Sequence, residues 1–228
     1  MATWIAYAVG VCAIAYLLGS IPSGYLAGRL LKGIDIREHG SKSTGATNVL
    51  RTLGKGPALV VLLVDVFKGV LAVLLTAWFF QLPAIATLAP PVLAANGTYE
   101  TLGLPLAVTL SGLAALLGHS RSIWLNFTGG KSVATGIGVL LAMSLPVGLG
   151  ALGVFACVLA VSRIVSLGSI VAAIASIVLM VALKQPLPYL GLAIAGGLFV
   201  ILRHRANIDR LLAGTEPRLG QKKPETES

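Results

Sequence analysis

The residues best placed to do chemistry lie in 118–135, GHSRSIWLNFTGGKSVAT, a polar interruption between two long apolar runs. His119, Arg121, Asn126, Lys131 and Thr135 surround the paired Gly129 and Gly130. A Gly-Gly-Lys turn opening a helix lets backbone N–H groups and an ammonium converge on an anion, because glycine admits close backbone approach and a helix N-terminus carries partial positive charge. The stretch reads as a phosphate cradle or, more plainly, as a basic loop with a glycine hinge.

Three other groups of polar residues bear on the same chemistry. Loop 29–56 carries Gly40-Ser41 and Gly45-Ala46-Thr47-Asn48 ahead of Arg51. If 44–53 forms a short helix, Asn48 and Arg51 are three apart and share a face, so that hydroxyl, amide and guanidinium point one way, as in phosphate grips. A solvated basic loop near anionic headgroups is the plainer alternative. Ser166 and Ser169 put two hydroxyls at the start of an apolar run, where serine also serves as a helix cap. His204 and Asn207 share one helical face, and His204 with Asp209 fits a His-x4-Asp spacing in which an acid orients a histidine base. Asp65 and Lys68, spaced i, i+3 inside an apolar run, are either an intrahelical ion pair or part of a site lining, because ionisable groups in a bilayer face the protein interior.

These residues must be positioned by membrane helices. Of 228 residues 56% are hydrophobic and only 11% charged, against about a quarter charged in soluble domains. Apolar runs at 4–25, 57–80, 102–117, 133–145, 147–161, 167–183 and 187–202 predict seven spans, with a tight hairpin at Pro146 dividing 133–161. Several fall short of about 20 residues, which implies thin or tilted spans. The stretch 84–95, with Pro90 and Pro91, is too short to cross and is expected to be an exposed or re-entrant loop. With seven spans, fifteen of the seventeen Lys and Arg residues fall on one side, Lys184 on the other and Lys68 within a span. Positive loops stay in the cytoplasm, so the N-terminus is expected outside and the C-terminus inside. The net charge of +9 is thereby explained without nucleic acid, for which no binding motif exists. Cys12 and Cys157 have no metal-ligand spacing, and the first run, lacking a basic leader, is expected to be retained. Residues 1–213 form one helical domain in this reading, and 214–228, with Pro217, Lys222, Lys223 and Pro224, a polar cytoplasmic tail without a core.

Taken together, the pieces resemble the acyl-phosphate:glycerol-3-phosphate acyltransferases, the bacterial PlsY family. The resemblance rests on Gly19-Ser20-Ile21-Pro22-Ser23-Gly24, on Gly40-Ser41 through Gly45-Ala46-Thr47-Asn48 to Arg51, on the loop from Gly118-His119 to Gly129-Gly130-Lys131, on Ser166 to Ser169, and on His204 with Asn207. It implies an all-α integral membrane protein of seven transmembrane helices in the bacterial plasma (inner) membrane, with its active site at the cytoplasmic face. It further implies transfer of a fatty acyl group from acyl phosphate to the 1-hydroxyl of glycerol 3-phosphate, giving lysophosphatidic acid and inorganic phosphate for phospholipid synthesis. Ser41, Asn48, Arg51, Lys131, Ser169, Gly129 and Gly130 would hold phosphate, and His204 and Asn207 would stand at the reacting centre, with His119, Ser166, Ser20 and Lys68 as further candidates. The family pattern has a third glycine after the lysine and a Gly-Asn pair after the early serine. Ser132 and Lys42-Ser43 stand there in this chain, which implies a stiffer cradle and an extra ammonium beside it. No metal, cofactor or protein nucleophile is required, since acyl phosphate is already an activated anhydride. The competing class is a transporter of an organic phosphate, which predicts internal repeats and midplane polar groups. The sequence leaves the oligomeric state open, a monomer being slightly favoured.

Overall fold

The computed structural model describes residues 2–94 and 97–221. Ala95 of the proline-rich loop, and Lys222, Lys223 and Pro224 of the expected tail, lie outside them. Regular structure in the described residues is helical, and a single isolated bridge joins Ser122 to Thr128.

Ala2–Ser20 (α1) breaks at Ile21-Pro22, and the chain resumes as Ser23–Lys32 (α2). Gly33, at φ 68°, ends α2 with its N–H on the Arg29 carbonyl and the Ile34 N–H on that of Gly28, a left-handed stop that glycine adopts without a steric cost. A loop carrying Ala46–Thr52 (α3) leads to Lys55–Gln81 (α4). Pro83–Ala86 (α5) and Pro91–Ala94 (α6) are single turns, and Leu104–Ser120 (α7) follows. The remainder is Val133–Met143 (α8), Leu145–Ser162 (α9), Val165–Ala182 (α10), Leu187–Arg203 (α11) and Arg205–Leu212 (α12). The expected hairpin is present: α8 stops at an extended Ser144, and Pro146 sits in the first turn of α9, where its missing N–H leaves no bond unmade.

Each apolar run of the sequence is mostly helical, broken at Ile21-Pro22 in the first and at Ser144 in the fourth, but length does not carry all seven across a bilayer. Five segments are long and apolar enough, Ala2–Lys32, Lys55–Gln81, Tyr99–Ser120, Leu145–Ser162 and Val165–Ala182, and α11 with α12 makes a sixth only if the pair, bent by 62°, counts as one span. The 11 residues of α8 fall below that length; at 1.5 Å per residue such a helix rises about 17 Å, against about 30 Å of hydrocarbon. In the described part of the expected loop, 84–94, there are only single helical turns, yet it is not simply exposed, because Ala89 and Leu93 pack with Trp4, Phe80 and Tyr99.

Close crossings bring the polar loops together. A Cβ on Gly19 would strike the Ala115 carbonyl and one on Gly118 that of Tyr16, so α1 and α7 meet backbone to backbone. Gly69 and Gly138 do the same for α4 and α8. With lipid on the outside as apolar as leucine, such small-residue contacts supply packing that the hydrophobic effect does not. The central core, Val73, Val108, Val139, Met180 and Leu192, lies between these pairs and α10 and α11.

Candidate active site

The loop before α3 is wound around one side chain. Asn48, 1% exposed, donates to the carbonyls of Ile36 and His39 at 3.0 Å and Ser43 at 2.8 Å, and accepts the Ser41 N–H at 2.8 Å. Its carboxamide is thereby committed to the backbone and shapes the loop that presents Ser41, so the amide is not free to grip a phosphate beside Arg51 as expected. Arg37 anchors the same loop to the neighbouring one, gripping Asp35 at 2.6 Å and donating to Thr128 Oγ1 at 3.0 Å.

The Gly-Gly-Lys loop is likewise braced by its own backbone. The Gly130 N–H is donated to the His119 carbonyl at 3.1 Å, and the Gly130 carbonyl accepts Ser120 Oγ at 2.9 Å and Arg203 at 3.1 Å. A Cβ on Gly129 would meet the His119 carbonyl, and one on Gly130 the His119 ring. The glycines are therefore needed for close approach to the end of α7. The Gly130 N–H is not free for an anion, and the group this loop presents to the cavity is the Lys131 side chain.

Lys131, Ser41 and Arg51 face Ser166 and Ser169 of α10, and His204 and Asn207 of the α11–α12 bend, across one cavity of about 390 Å³. His119 and Asn48 also form part of its wall. Ser20 and Lys68 do not: they lie in an adjoining polar crevice with His119, and Lys68 Nζ contacts Asp65 at 2.8 Å. Gly129 and Gly130 support the wall without lining it. His204 Nδ1 meets the Val200 carbonyl at 2.7 Å, so that nitrogen carries the proton and Nε2 keeps the lone pair. Asp209 is exposed, and the His-x4-Asp pairing is not formed.

The sequence reading missed Glu216. Composition puts it in a solvated tail, but Gly214, at φ 70°, turns the chain back after α12 and leaves Glu216 8% exposed in the cavity wall. Its carboxylate accepts from Ser166 Oγ at 2.7 Å, Asn207 Nδ2 at 2.6 Å and Arg210 Nε at 2.7 Å. Burial raises the carboxyl, but these three donors more than offset it and hold it below its ordinary range. Asn207 in turn accepts from Lys131, so one chain of bonds links tail, helix bend and loop. The available signal was a helix-stopping glycine two residues before one of only eight acidic residues. Burial draws the Lys131 ammonium down to about 8, with Glu216 opposing and Arg210, Arg203 and Arg51 adding to the fall.

The cavity's other end is apolar. Leu62 and Leu63 of α4, Leu141 of α8, and Leu152 and Phe155 of α9 line it, and Leu62, Leu63 and Leu152 reach the outer, lipid-facing surface at 41%, 58% and 41% exposure. Cations and hydroxyls thus adjoin a cleft that a hydrocarbon chain can enter from the side.

Residues 9–214 match the family described as glycerol-3-phosphate acyltransferase. The chain belongs to this family. It is 67% identical over 222 residues to glycerol-3-phosphate acyltransferase 2 of Rhizobium johnstonii, covering 97% of this chain and 99% of that one. It is 60% identical over 223 residues to the glycerol-3-phosphate acyltransferase of Acaryochloris marina, at 98% and 97% coverage. The crystal structure of PlsY, an integral membrane glycerol 3-phosphate acyltransferase, in its glycerol 3-phosphate form superposes with a TM-score of 0.80 at 36% identity, over 94% of this chain and 96% of that one. Its lysophosphatidic acid form gives 0.77. Family membership makes the protein a multi-pass membrane acyltransferase and decides for acyl transfer over transport of an organic phosphate.

Proposed function

We propose that the protein transfers a fatty acyl group from acyl phosphate to the 1-hydroxyl of glycerol 3-phosphate, releasing lysophosphatidic acid and inorganic phosphate. The observation that carries this is the cavity in which Arg51, Lys131 and the hydroxyls of Ser41, Ser166 and Ser169 stand beside a cleft open to lipid. Arg51, Lys131, Ser41 and Ser169 hold the phosphate of glycerol 3-phosphate. The acyl tail lies in the cleft between α4, α8 and α9, and its phosphate end meets Asn207 and His204. The glycerol oxygen attacks the acyl carbon, the carbon–oxygen bond to phosphate breaks, and the hydroxyl proton passes to the departing phosphate, a competent base already in place. His204 Nε2, with its free lone pair, accepts a hydrogen bond from the attacking hydroxyl and orients it; it is the competing base. Near-normal turnover in His204→Ala would remove it from either role.

The same reading places seven helices across the bacterial plasma membrane, with α8 as a thin crossing, the N-terminus outside, and the site at the cytoplasmic face where the basic loops gather. The unit of function is residues 1–213, one helical domain, and Glu216 of the following tail completes its wall.

The test is phosphate release by purified protein given palmitoyl phosphate, with and without glycerol 3-phosphate, beside Lys131→Ala. Release that requires glycerol 3-phosphate, forms lysophosphatidic acid and is strongly reduced in the variant at limiting glycerol 3-phosphate supports the reading. Turnover with acyl-coenzyme A but not with acyl phosphate overturns the donor.

A further inference from the structure

Outside the groups assigned to substrate, buried ionisable side chains gather at Asp65, Lys68 and His119, which are 1%, 3% and 6% exposed. An intrahelical ion pair needs one carboxylate oxygen and one ammonium. Here Asp65 Oδ1 meets groups from three helices: it is bonded by Lys68 Nζ at 2.8 Å from α4 itself and by Ser23 Oγ at 2.6 Å from the first residue of α2, and His119 Nδ1 of the last turn of α7 packs against it at 3.6 Å, just beyond hydrogen-bond distance. Lys68 Nζ also donates to the Ile21 carbonyl at 3.0 Å, in the break between α1 and α2.

Both arms of this hub run on to cation-bearing loops. On one side α2 packs against the loop of Ser41 and Arg51 so closely that a Cβ on Gly24 would strike the Thr44 carbonyl. On the other, the His119 ring lies directly beneath Gly130, the residue before Lys131. A buried ion pair adds little net stability, because desolvating two charges costs about as much as their attraction returns. What three converging contacts do add is a fixed distance between the elements that make them.

We propose that Asp65 is a positioning residue for acyl transfer: it sets the loop of Ser41 and Arg51 against the loop of Lys131, so that both cations converge on one phosphate. The proposal rests on the assignment of Arg51 and Lys131 to glycerol 3-phosphate. Asp65 lies in the wall of the same cavity, but its Oδ1 is taken by Ser23 and Lys68 and no substrate contact is assigned to it; its loss alters where the cations stand and therefore KM for glycerol 3-phosphate, more than the rate of the bound complex.

The experiment compares Asp65→Asn/Lys68→Met, in which no buried charge is left unpaired, with Ser23→Ala, Lys131→Ala and the parent protein, measuring Tm together with kcat and KM for both substrates. In the double variant Tm is expected within a few degrees of the parent, with KM for glycerol 3-phosphate raised about tenfold or more and kcat and KM for palmitoyl phosphate within about threefold. Ser23→Ala, which cuts one contact and keeps the charges, is expected to raise the same KM about threefold with Tm unchanged, and it carries the test if the double variant does not fold. If Lys131→Ala raises KM for glycerol 3-phosphate while the double variant or Ser23→Ala keeps the parental value, the positioning role is overturned. If Lys131→Ala leaves that KM unchanged, it is the phosphate assignment that fails.

Discussion

Lys131 should make glycerol 3-phosphate binding sensitive to alkaline pH. A lysine in water titrates near 10.4, whereas this ammonium, withdrawn into the cavity wall among Arg210, Arg203 and Arg51, loses its proton at about 8. The sign follows from the charge: the free enzyme binds a phosphate dianion best with Lys131 protonated, so kcat/KM falls as pH rises through that value. From the titration curve alone, the charged fraction drops from about nine-tenths at pH 7 to about one-tenth at pH 9, a loss of roughly ninefold in kcat/KM. The substrate's second phosphate ionisation lies near 6 and is complete over this range. The assay is initial-rate phosphate release at limiting glycerol 3-phosphate and saturating palmitoyl phosphate, at constant ionic strength. Lys131→Arg is the internal control, because a guanidinium stays charged throughout; its profile should be flat above pH 7, whatever its absolute rate. A parent profile that is also flat to pH 9, or an arginine variant with the parent's inflection, would refute the assignment of Lys131 to the substrate phosphate.

Gly130→Ala places a methyl group in the His119 ring and should cost tenfold or more in kcat/KM by displacing Lys131, whereas Gly136→Ala, which meets only Leu116 at 3.6 Å on α8, should be neutral or gain about 0.5–1 kcal/mol in stability, read as Tm. Leu152→Trp narrows the lipid-facing cleft and should shift the preferred donor to shorter chains, with kcat/KM for palmitoyl phosphate falling about tenfold relative to that for octanoyl phosphate. Glu216→Gln keeps an acceptor for Ser166 and Asn207 but loses the carboxylate facing Arg210. That side chain is 40% exposed and its share is screened, so a loss of about 1–2 kcal/mol is expected, a Tm lower by about 2–8 °C in detergent.

Much of the site was legible because its residues are polar in a chain that has few polar residues. In an apolar background, Ser41, Arg51, Lys131, Ser166, Ser169, His204 and Asn207 stand out by type alone, and they do converge on one cavity. What type and spacing do not give is the partner of each group. Asn48 has the composition of a phosphate ligand, yet a loop with few regular backbone bonds needs an internal donor, and that demand takes its amide. The glycine pair has the composition of an anion nest, yet crowding against His119 uses its small size instead. Glu216 was hidden because a polar tail and a returning tail have the same composition, and only the left-handed turn at Gly214 separates them.

The two departures from the family's glycine pattern follow the same logic. Ser132 and Lys42 both hold left-handed backbone, at φ 61° and 54°, which costs an L-residue about 1–2 kcal/mol. Ser132 offsets this by bonding the Leu116 carbonyl at 2.7 Å and contacting Ser120 Oγ at 2.8 Å, bonds a glycine lacks, so the loop before α8 is stiffer where Lys131 leaves it. Lys42 has no such side-chain compensation: its backbone N–H reaches the His39 carbonyl at 3.0 Å, a bond glycine would make equally well, and its ammonium is exposed. What the lysine adds is therefore charge next to Ser41, where a substrate phosphate approaches from water. Its contribution should appear in the salt dependence of glycerol 3-phosphate capture, and Lys42→Gly should flatten that dependence while leaving kcat unchanged.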